Sequence, residues 1–273
     1  MERLLVLKLH AEGVEAEAWL NGVPIVRVDA ARPLAVVPVH EYMLAGENRL
    51  ELVVNPGPAA PLPGLPPVPP APPVPHLADG RAHASLRILL PRMGGAADET
   101  GARTLAQQVW APPEGTAFET PLALPLEAML NVSFQRWRWL DAPPADDTPA
   151  LRWLALAFVQ RLALDLARGA TESFIAATRL RTEELALAYQ RTPEQETQRL
   201  RTALLQLYAD QRLKWVPLVA EGFVLRRVAG GRLFDCLDAI GQPALRTLVD
   251  EHGASAIFPL RLAVVEGKLY VLR

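Results

Sequence analysis

The sequence predicts two domains of different class, an all-β sandwich followed by an α+β domain. Three observations support this prediction. In the first half, short β-branched runs alternate with turn residues, as they do in antiparallel strands. A polar, proline-rich break at residues 141–148 follows, and we place the domain boundary there, between 1–145 and 146–273. Beyond the break, the spacing of apolar residues becomes that of helices and then returns to that of strands.

The first domain is predicted from its strands and the turns that bound them. Asn21-Gly22 is the dipeptide most typical of a tight hairpin, and Gly46-Glu47-Asn48 is a second turn signal. Leu50 and Leu52 alternate with charged neighbours, which predicts a strand with one buried face. The predicted strands cover residues 4–9, 16–20, 23–28, 34–39, 49–54, 84–90, 104–110 and 129–140.

These turns carry a resemblance to a known fold family. Residues 19–24, WLNGVP, and residues 44–50, LAGENRL, resemble the hairpin and the later turn of galactose-binding-like jelly-roll sandwiches. The resemblance is confined to this part of the chain and implies a jelly-roll fold. Such modules accompany many carbohydrate-active enzymes, so carbohydrate binding is the function it implies. Both motifs, however, consist of turn residues, which are informative about the fold but say little about which ligand is bound.

Two unusual segments interrupt the strands. Residues 55–75 contain eleven of the chain's 26 prolines, which predicts an extended, polyproline-like loop. This loop is either a stiff connection or disordered insertion between two strands of the sandwich, or a proline-rich ligand for an aromatic groove. Further on, Trp137 and Trp139 alternate with Arg136 and Arg138. A strand of this kind either stacks bases or sugars, or places its tryptophans in the core or at a domain contact.

Three helices are predicted at the start of the second domain. Thr148-Pro149 is a typical helix start, a second helix covers about 172–190, and Thr192 with Gln195 forms a capping box for the third. Helical spacing predicts that the first helix faces inward with Leu151, Leu154, Ala155, Phe158, Leu162 and Leu166. The third is predicted to face inward with Leu200, Leu204, Leu207 and Tyr208.

Two β-hairpins are predicted after the helices. Residues 222–228 and 232–237 flank Ala229-Gly230-Gly231, and residues 257–265 and 268–272 flank Glu266-Gly267. Three helices followed by two hairpins resemble, in order alone, the cystatin-like and nuclear-transport-factor-like cones, where a curved sheet wraps a helix. That resemblance implies a pocket in the second domain. The residues that we expect to line such a pocket are Tyr189, Tyr208, Trp215, Asp235 and Arg261.

Composition limits the classes of partner. The net charge of −2 and the pI near 6.2 argue against a general nucleic-acid binder, which normally carries a basic stripe. The sequence contains no signal-peptide pattern and no run long and apolar enough to span a bilayer, so we expect no membrane insertion. The single cysteine allows no internal disulfide, and the bias toward Ala, Leu, Pro and Arg indicates a bacterial protein. A cytoplasmic location is the expectation.

The sequence predicts no catalytic residue, no cofactor and no metal. Glycine-rich phosphate loops, G-x-S-x-G and H-E-x-x-H are absent from it, and its five histidines are scattered without metal-ligand spacing. Cys236 has no base nearby in the sequence, which favours a buried structural thiol. Asp235 and Asp238 are predicted to point to opposite faces of a strand, so they do not form an acid–base pair.

Three functional hypotheses remain open. The first, which we favour, is a non-enzymatic interaction protein of accessory or immunity type that binds a protein partner. The second is a small-molecule binder or enzyme with a pocket in the second domain. The third is a carbohydrate-binding sandwich, which predicts an exposed aromatic platform built from Trp19, Trp110, Trp137 or Trp139. Trp137 and Trp139 are also candidates for a protein interface.

Overall fold

The computed structural model of the chain describes residues 5–57, 73–91, 101–131, 134–251 and 253–273. Its described part contains antiparallel strands in four sheets together with four α-helices, all of them in the C-terminal half. This confirms a mixed class with helices confined to the second half. Two compact units are present: among the described residues, unit 1 is formed by 5–57, 73–91, 101–131 and 134–136, and unit 2 by 137–251 and 253–273. The predicted boundary between 145 and 146 stays a prediction.

Unit 1 is built from β-strands. They are β1 (Val6–Glu12), β2 (Ala16–Leu20), β3 (Val23–Val28), β4 (Leu34–Pro38), β5 (Gly46–Val54), β6 (Val74–Leu77), β7 (His83–Pro91), β8 (Ala102–Trp110), β9 (Ala117–Thr120) and β10 (Leu122–Leu130). One four-stranded sheet has the order β4-β1-β7-β8, the other has the order β10-β5-β2-β3, and β6 pairs with β9. The inward side chains of both four-stranded sheets form one core cluster, because apolar residues alternate along each strand.

The two turn motifs of unit 1 are joined by hydrogen bonds. Asn21 and Gly22 both have positive φ, as a tight hairpin requires. The Asn21 side-chain amide donates to the Asn48 side-chain oxygen at 2.9 Å and to the Tyr42 carbonyl at 2.8 Å, and its own oxygen accepts from the Arg49 amide. Asn48 is fully buried. These asparagines therefore satisfy backbone groups that the turns would otherwise leave unpaired.

The strand predicted at residues 129–140 is wrong in position. The strand is β10, which ends at Leu130, and a 3-10 turn covers Arg138–Leu140. Residues 111–128, for which no strand was predicted, contain β9 and most of β10. Pro125 is accepted in β10 because this strand lies at the edge of its sheet, where a missing amide donor costs little. Of the proline-rich loop, residues 58–72 lie outside the described part, and Val74–Leu77 forms β6.

Unit 2 contains the helices and a four-stranded sheet. The helices are α1 (Pro149–Ala167), α2 (Thr171–Ala177), α3 (Arg179–Ala188) and α4 (Pro193–Ala209). The strands are β11 (Val224–Val228), β12 (Leu233–Leu237), β13 (Arg261–Val265) and β14 (Lys268–Val271), paired in sequence order. Both hairpins are confirmed, although β13 begins four residues later than predicted. The helices cover one face of the sheet, where Phe234 and Cys236 join the same core cluster as Val159.

The predicted helix starts are confirmed. Thr148 accepts a hydrogen bond from the Leu151 amide at 3.2 Å, with Pro149 in the first turn. In the capping box, the Thr192 hydroxyl accepts from the Gln195 amide at 3.2 Å, and the Gln195 side chain accepts from the Thr192 amide at 3.0 Å. Each motif satisfies amides that have no partner inside the helix.

The prediction of three helices is wrong, because the second divides into α2 and α3 at Thr178. The Thr178 hydroxyl donates to the Phe174 carbonyl at 2.8 Å, and the Thr182 hydroxyl donates in the same way to the Thr178 carbonyl at 3.0 Å. Such bonds compete with the helix ladder and bend or interrupt it. Thr178 is buried and leaves the helical conformation at φ −94° and ψ 7°.

Candidate functional site

Of the predicted pocket residues, the structure brings Asp235 and Arg261 together. Asp235 on β12 accepts from Arg261 on β13 at 2.6 Å and from Arg226 on β11 at 2.9 Å, which forms a row across three strands. Its neighbours Phe234 and Cys236 face the helical core, so this row lies on the opposite face of the sheet. Asp235 is buried, and its two arginines compensate the charge.

The three aromatic pocket candidates lie elsewhere. Trp215 packs on the helical core, 5.5 Å from the Phe258 ring, and its indole N–H has no hydrogen-bond partner among the described residues. Tyr208 is on α4 and 45% exposed, so the prediction that it faces inward is wrong. Tyr189 follows the end of α3, where the guanidinium of Arg191 lies 5.6 Å from its ring. These aromatics do not surround the row of Asp235.

Trp137 and Trp139 are both buried in unit 2. Trp19 and Trp110 in unit 1 are half-buried. None of the four tryptophans named for an aromatic platform is therefore exposed, and a sugar ring needs an exposed ring face on which to stack.

A buried ion pair explains the burial of Trp137. Glu184 on α3 and Arg273 after β14 are 1% and 2% exposed and form a direct ion pair. Glu184 also accepts from the Arg138 amide at 2.7 Å, and the Arg273 guanidinium lies 5.2 Å from the Trp137 ring. The cluster joins three distant segments of unit 2. We assign it a structural role, because its charges are paired and closed off from water.

Cys236 lies in the core, and the structure gives it no feature of a nucleophile. Burial raises the pKa of its thiol, and the neighbouring Asp235 carboxylate raises it further. A thiol of this kind stays protonated and unreactive. Among the described residues, no group of three or more histidine, cysteine or acidic side chains has the geometry to hold a metal ion.

One small cavity lies among α2, α3, α4 and residues 257–259. Its volume is about 160 Å³, and Phe174, Leu200 and Phe258 form part of its wall. Arg181 also lines it, but its guanidinium donates to the Pro259 carbonyl at 3.2 Å. Binding sites for drug-sized ligands usually measure about 300–1,000 Å³. The cavity is therefore small for a substrate site.

The outward face of α1 is the most unusual surface of unit 2. The inward face packs into the core with Leu151, Ala155, Leu156, Val159, Leu162, Ala163 and Leu166. On the other side Trp153 is 64% exposed and Leu164 is 46% exposed, and Leu154, predicted to face inward, is exposed as well. A helix that is apolar all round is normally covered on every side. The outward side of α1 therefore carries the apolar residues expected at an interface, although these residues are exposed to solvent.

Six exposed residues of α1 form a regular line, which we call the α1 seam. They recur at steps of three and four residues, the spacing that places side chains in one line between two packed helices. The seam consists of Ala150, Trp153, Ala157, Gln160, Leu164 and Ala167, all of them exposed. The Gln160 amide donates to the Leu218 carbonyl at 2.9 Å, which places the neighbouring exposed Val219 beside the seam.

Charged residues stand at both ends of the seam. At the N-terminal end, Asp147 accepts from Arg152 at 2.7 Å, and Asp146 is highly exposed. In the C-terminal half, Arg161 donates to Asp165 at 3.0 Å and lowers the pKa of that carboxyl, so Asp165 stays ionised at neutral pH. The six seam residues themselves carry no charge, and Arg161, which follows Gln160 beside the middle of the seam, is paired with Asp165. Apolar centres with polar rims are typical of protein interfaces.

The sequence contained a signal for this seam that our prediction of one inward face did not use. Trp153, Leu154 and Leu164 lie at helix positions that do not pack into the core, and a helix with one buried side would carry polar residues there.

Although α1 is 19 residues long, no helix in the described ranges is apolar enough over sufficient length to cross a membrane. Comparisons of the chain with protein-family models, curated proteins and solved structures find no match.

Proposed function

We propose that this is a non-enzymatic bacterial interaction protein, of accessory or immunity type and located in the cytoplasm. It binds a protein partner through the α1 seam. The observation that carries the proposal is the seam itself, an exposed line of apolar and small residues on a helix whose other side is already buried.

The seam has the features that concentrate binding energy. A buried tryptophan removes about 150–250 Å² from water, and tryptophan is enriched among the residues that dominate interface affinity. Trp153 has most of that area available, and Leu154 and Leu164 on α1 and Val219 beside it are further exposed apolar side chains. Contiguous apolar patches of a few hundred Å² on soluble proteins are often binding sites. A protein surface of matching apolar character is therefore the ligand that fits.

We also propose that unit 1 is a separate jelly-roll domain. Its ladders are nested: β2 pairs with β3 while β1 pairs with β4, and β2 pairs with β5 while β1 pairs with β7. The outer ladders continue as β5 with β10 and β7 with β8. Such nesting describes an antiparallel ribbon folded across two sheets, which is the connectivity of a jelly roll. This proposal concerns fold and assigns no ligand.

The other two functions have less support. A carbohydrate platform lacks an exposed tryptophan among the four that were named for it. A small-molecule site in unit 2 has the cavity of about 160 Å³, which is below the usual range, while the larger depressions of about 1210 Å³ beside α4 and about 400 Å³ near Tyr208 are more open to solvent.

The proposal is tested by photo-crosslinking in the source cells. A photoreactive residue replaces Ala157, in the middle of the seam, and in a second variant it replaces Leu187, an exposed apolar residue on α3 outside the seam. We expect a protein adduct from position 157 and none of the same mass from position 187.

The same adduct should disappear when Leu164→Arg is added to the Ala157 variant, and persist when Leu187→Arg is added instead. Both changes place a charge at a site of similar exposure, so they differ only in their relation to the seam. The proposal would be overturned if position 157 gave no adduct, or if the adduct formed equally well with Leu164→Arg and with Leu187→Arg.

A further inference from the structure

The α1 seam is complementary to itself when it is reversed. Its six positions are symmetric about the point between Phe158 and Val159. Reversal about that point matches Ala150 with Ala167, Trp153 with Leu164, and Ala157 with Gln160. We propose, on the basis of the proposed function, that the partner is a second copy of this chain, whose α1 packs antiparallel against the first.

Packing in each layer favours this arrangement. Each of these matched pairs forms one layer of the interface. Two-fold symmetry presents the same surface on both copies, so every layer occurs twice. Alanine meets alanine at both ends, where the helix backbones approach closely, and the indole of Trp153 meets the smaller Leu164. In the centre, Ala157 leaves space for the longer Gln160 side chain, which already donates to the Leu218 carbonyl of its own copy.

A parallel pair of α1 helices fits the same residues poorly. Each residue would then face its own copy, so two Trp153 side chains would share one layer while two Ala157 side chains left a gap in the next. Gln160 would also face Gln160, so two long side chains would share the layer next to the one that Ala157 leaves open. The order of sizes along the seam therefore favours the antiparallel register.

The charges at the ends of the seam also favour the antiparallel register. Asp146 and Asp147 precede α1, and Arg168 follows its last turn. Antiparallel packing brings these carboxylates near Arg168 of the second copy, and it opposes the two helix dipoles. Parallel packing would place like charges side by side. Because the residues are exposed, salt will weaken this contribution.

The size of the surface predicts a concentration-dependent dimer. A stable interface usually buries about 800 Å² on each partner. The seam extends for about 25 Å along α1, at 1.5 Å per residue. Leu154, which follows Trp153, and Val219, which follows the Leu218 bonded to Gln160, add exposed apolar surface beside the seam. We expect monomer and dimer to exchange rather than a permanently associated pair.

Cysteine crosslinking of the full chain tests the register. The natural Cys236 is buried, so it should not react and the background is low. Ala150→Cys and Ala167→Cys are prepared as separate variants and oxidised alone or mixed. We expect a disulfide-linked dimer from the mixture and none from either variant alone, because two copies of one position lie about 25 Å apart in the antiparallel pair.

Two results would overturn the register or the partner. Dimers from each variant alone, without a gain on mixing, would show parallel pairing. No crosslink from any combination, with a mass that stays at 29.9 kDa at every concentration in analytical ultracentrifugation, would show that the partner is not a second copy.

Ultracentrifugation of the seam variants separates this inference from the proposed function. We expect the unmodified chain to reach twice the monomer mass, Leu164→Arg to weaken the dimer at least tenfold, and Leu187→Arg to leave it unchanged. At concentrations low enough for the chain to be monomeric, the melting temperatures of both variants should match the unmodified chain, because both sites are exposed and no dimer then adds to stability. If the chain stays monomeric while position 157 still crosslinks to a different protein in cells, the second copy is wrong and the interaction function stands. If neither is observed, both are wrong.

Discussion

Unit 2 contains two regions in which the usual distribution of polar and apolar groups is reversed. In one, Glu184 and Arg273 carry opposite charges and are almost completely buried. In the other, Trp153 and Leu164 are apolar and stand in solvent. Buried charge and exposed apolar surface are the informative deviations in a folded protein, because scattered exposed leucines and buried valines are the norm.

The difference between the two regions lies in how completely each is satisfied by the chain itself. Glu184 accepts from the Arg138 amide and from Arg273, so the buried charge has its partners inside unit 2. The α1 seam is exposed along its length. A buried ion pair lowers stability when one partner is removed, whereas an exposed apolar line gains free energy only when another surface covers it. Stability and binding should therefore respond to different substitutions.

The largest expected effect is the loss of stability from Glu184→Ala. Removing one partner leaves the Arg273 charge buried without compensation, which should lower the free energy of unfolding by about 3–5 kcal/mol. Urea denaturation of the full chain measures it. The control is Glu183→Ala, next in sequence, whose ion pairs with Arg138 and Arg179 lie nearer the surface. It should cost less than about 1 kcal/mol, and equal losses from the two would contradict a special role for the buried pair.

A smaller effect is expected from Asp235→Ala, an intermediate case. Arg226 and Arg261 lose their shared carboxylate, but both are less deeply buried than Arg273 and reach water more easily. We expect a loss of about 2–3 kcal/mol in urea denaturation, and a smaller loss for Asp235→Asn, which still accepts hydrogen bonds. A loss as large as that of Glu184→Ala would show that burial does not set the order.

Thr192→Ala should have a moderate and purely local effect. It removes the hydroxyl that accepts from the Gln195 amide at the start of α4. We expect a loss of about 1 kcal/mol in thermal or urea unfolding. Thr202→Ala, an exposed position within α4, is the matched control and should be neutral, since alanine favours helices. If the two variants had the same stability, the capping box would contribute nothing.

The smallest effect on stability is expected from Trp153→Gln. Its side chain is mostly exposed, so the free energy of unfolding should change by no more than about 0.5 kcal/mol. Self-association measured by ultracentrifugation should nevertheless fall strongly, because the seam loses its largest apolar side chain. A large loss of stability would mean that Trp153 belongs to the core of the fold rather than to an interface.

Signals that involve only a few neighbouring residues were predicted well from the sequence. The hairpin at Asn21-Gly22 and the helix starts at Thr148 and Thr192 appear where they were expected. Each depends on hydrogen bonds or dihedral angles within a few residues, so the local sequence contains the information. The strand boundary after Leu130 was not predicted, because contacts with distant segments compete there with local preference. The break at Thr178 was not predicted either, although its hydrogen bonds are local, because a threonine can bond a preceding carbonyl without ending the helix.

The sequence by itself determined the mixed class, the position of the helical half, the two C-terminal hairpins and the capped helix starts. These follow from periodicity and turn chemistry, which act over short distances along the chain. The tertiary structure alone decided that Glu184 meets Arg273, which is 89 residues away, and that Asp235 lies between two arginines on neighbouring strands. It also decided which side of α1 is covered. The reason is that an apolar helix has several possible inward faces, and only packing against the sheet and the other helices selects one.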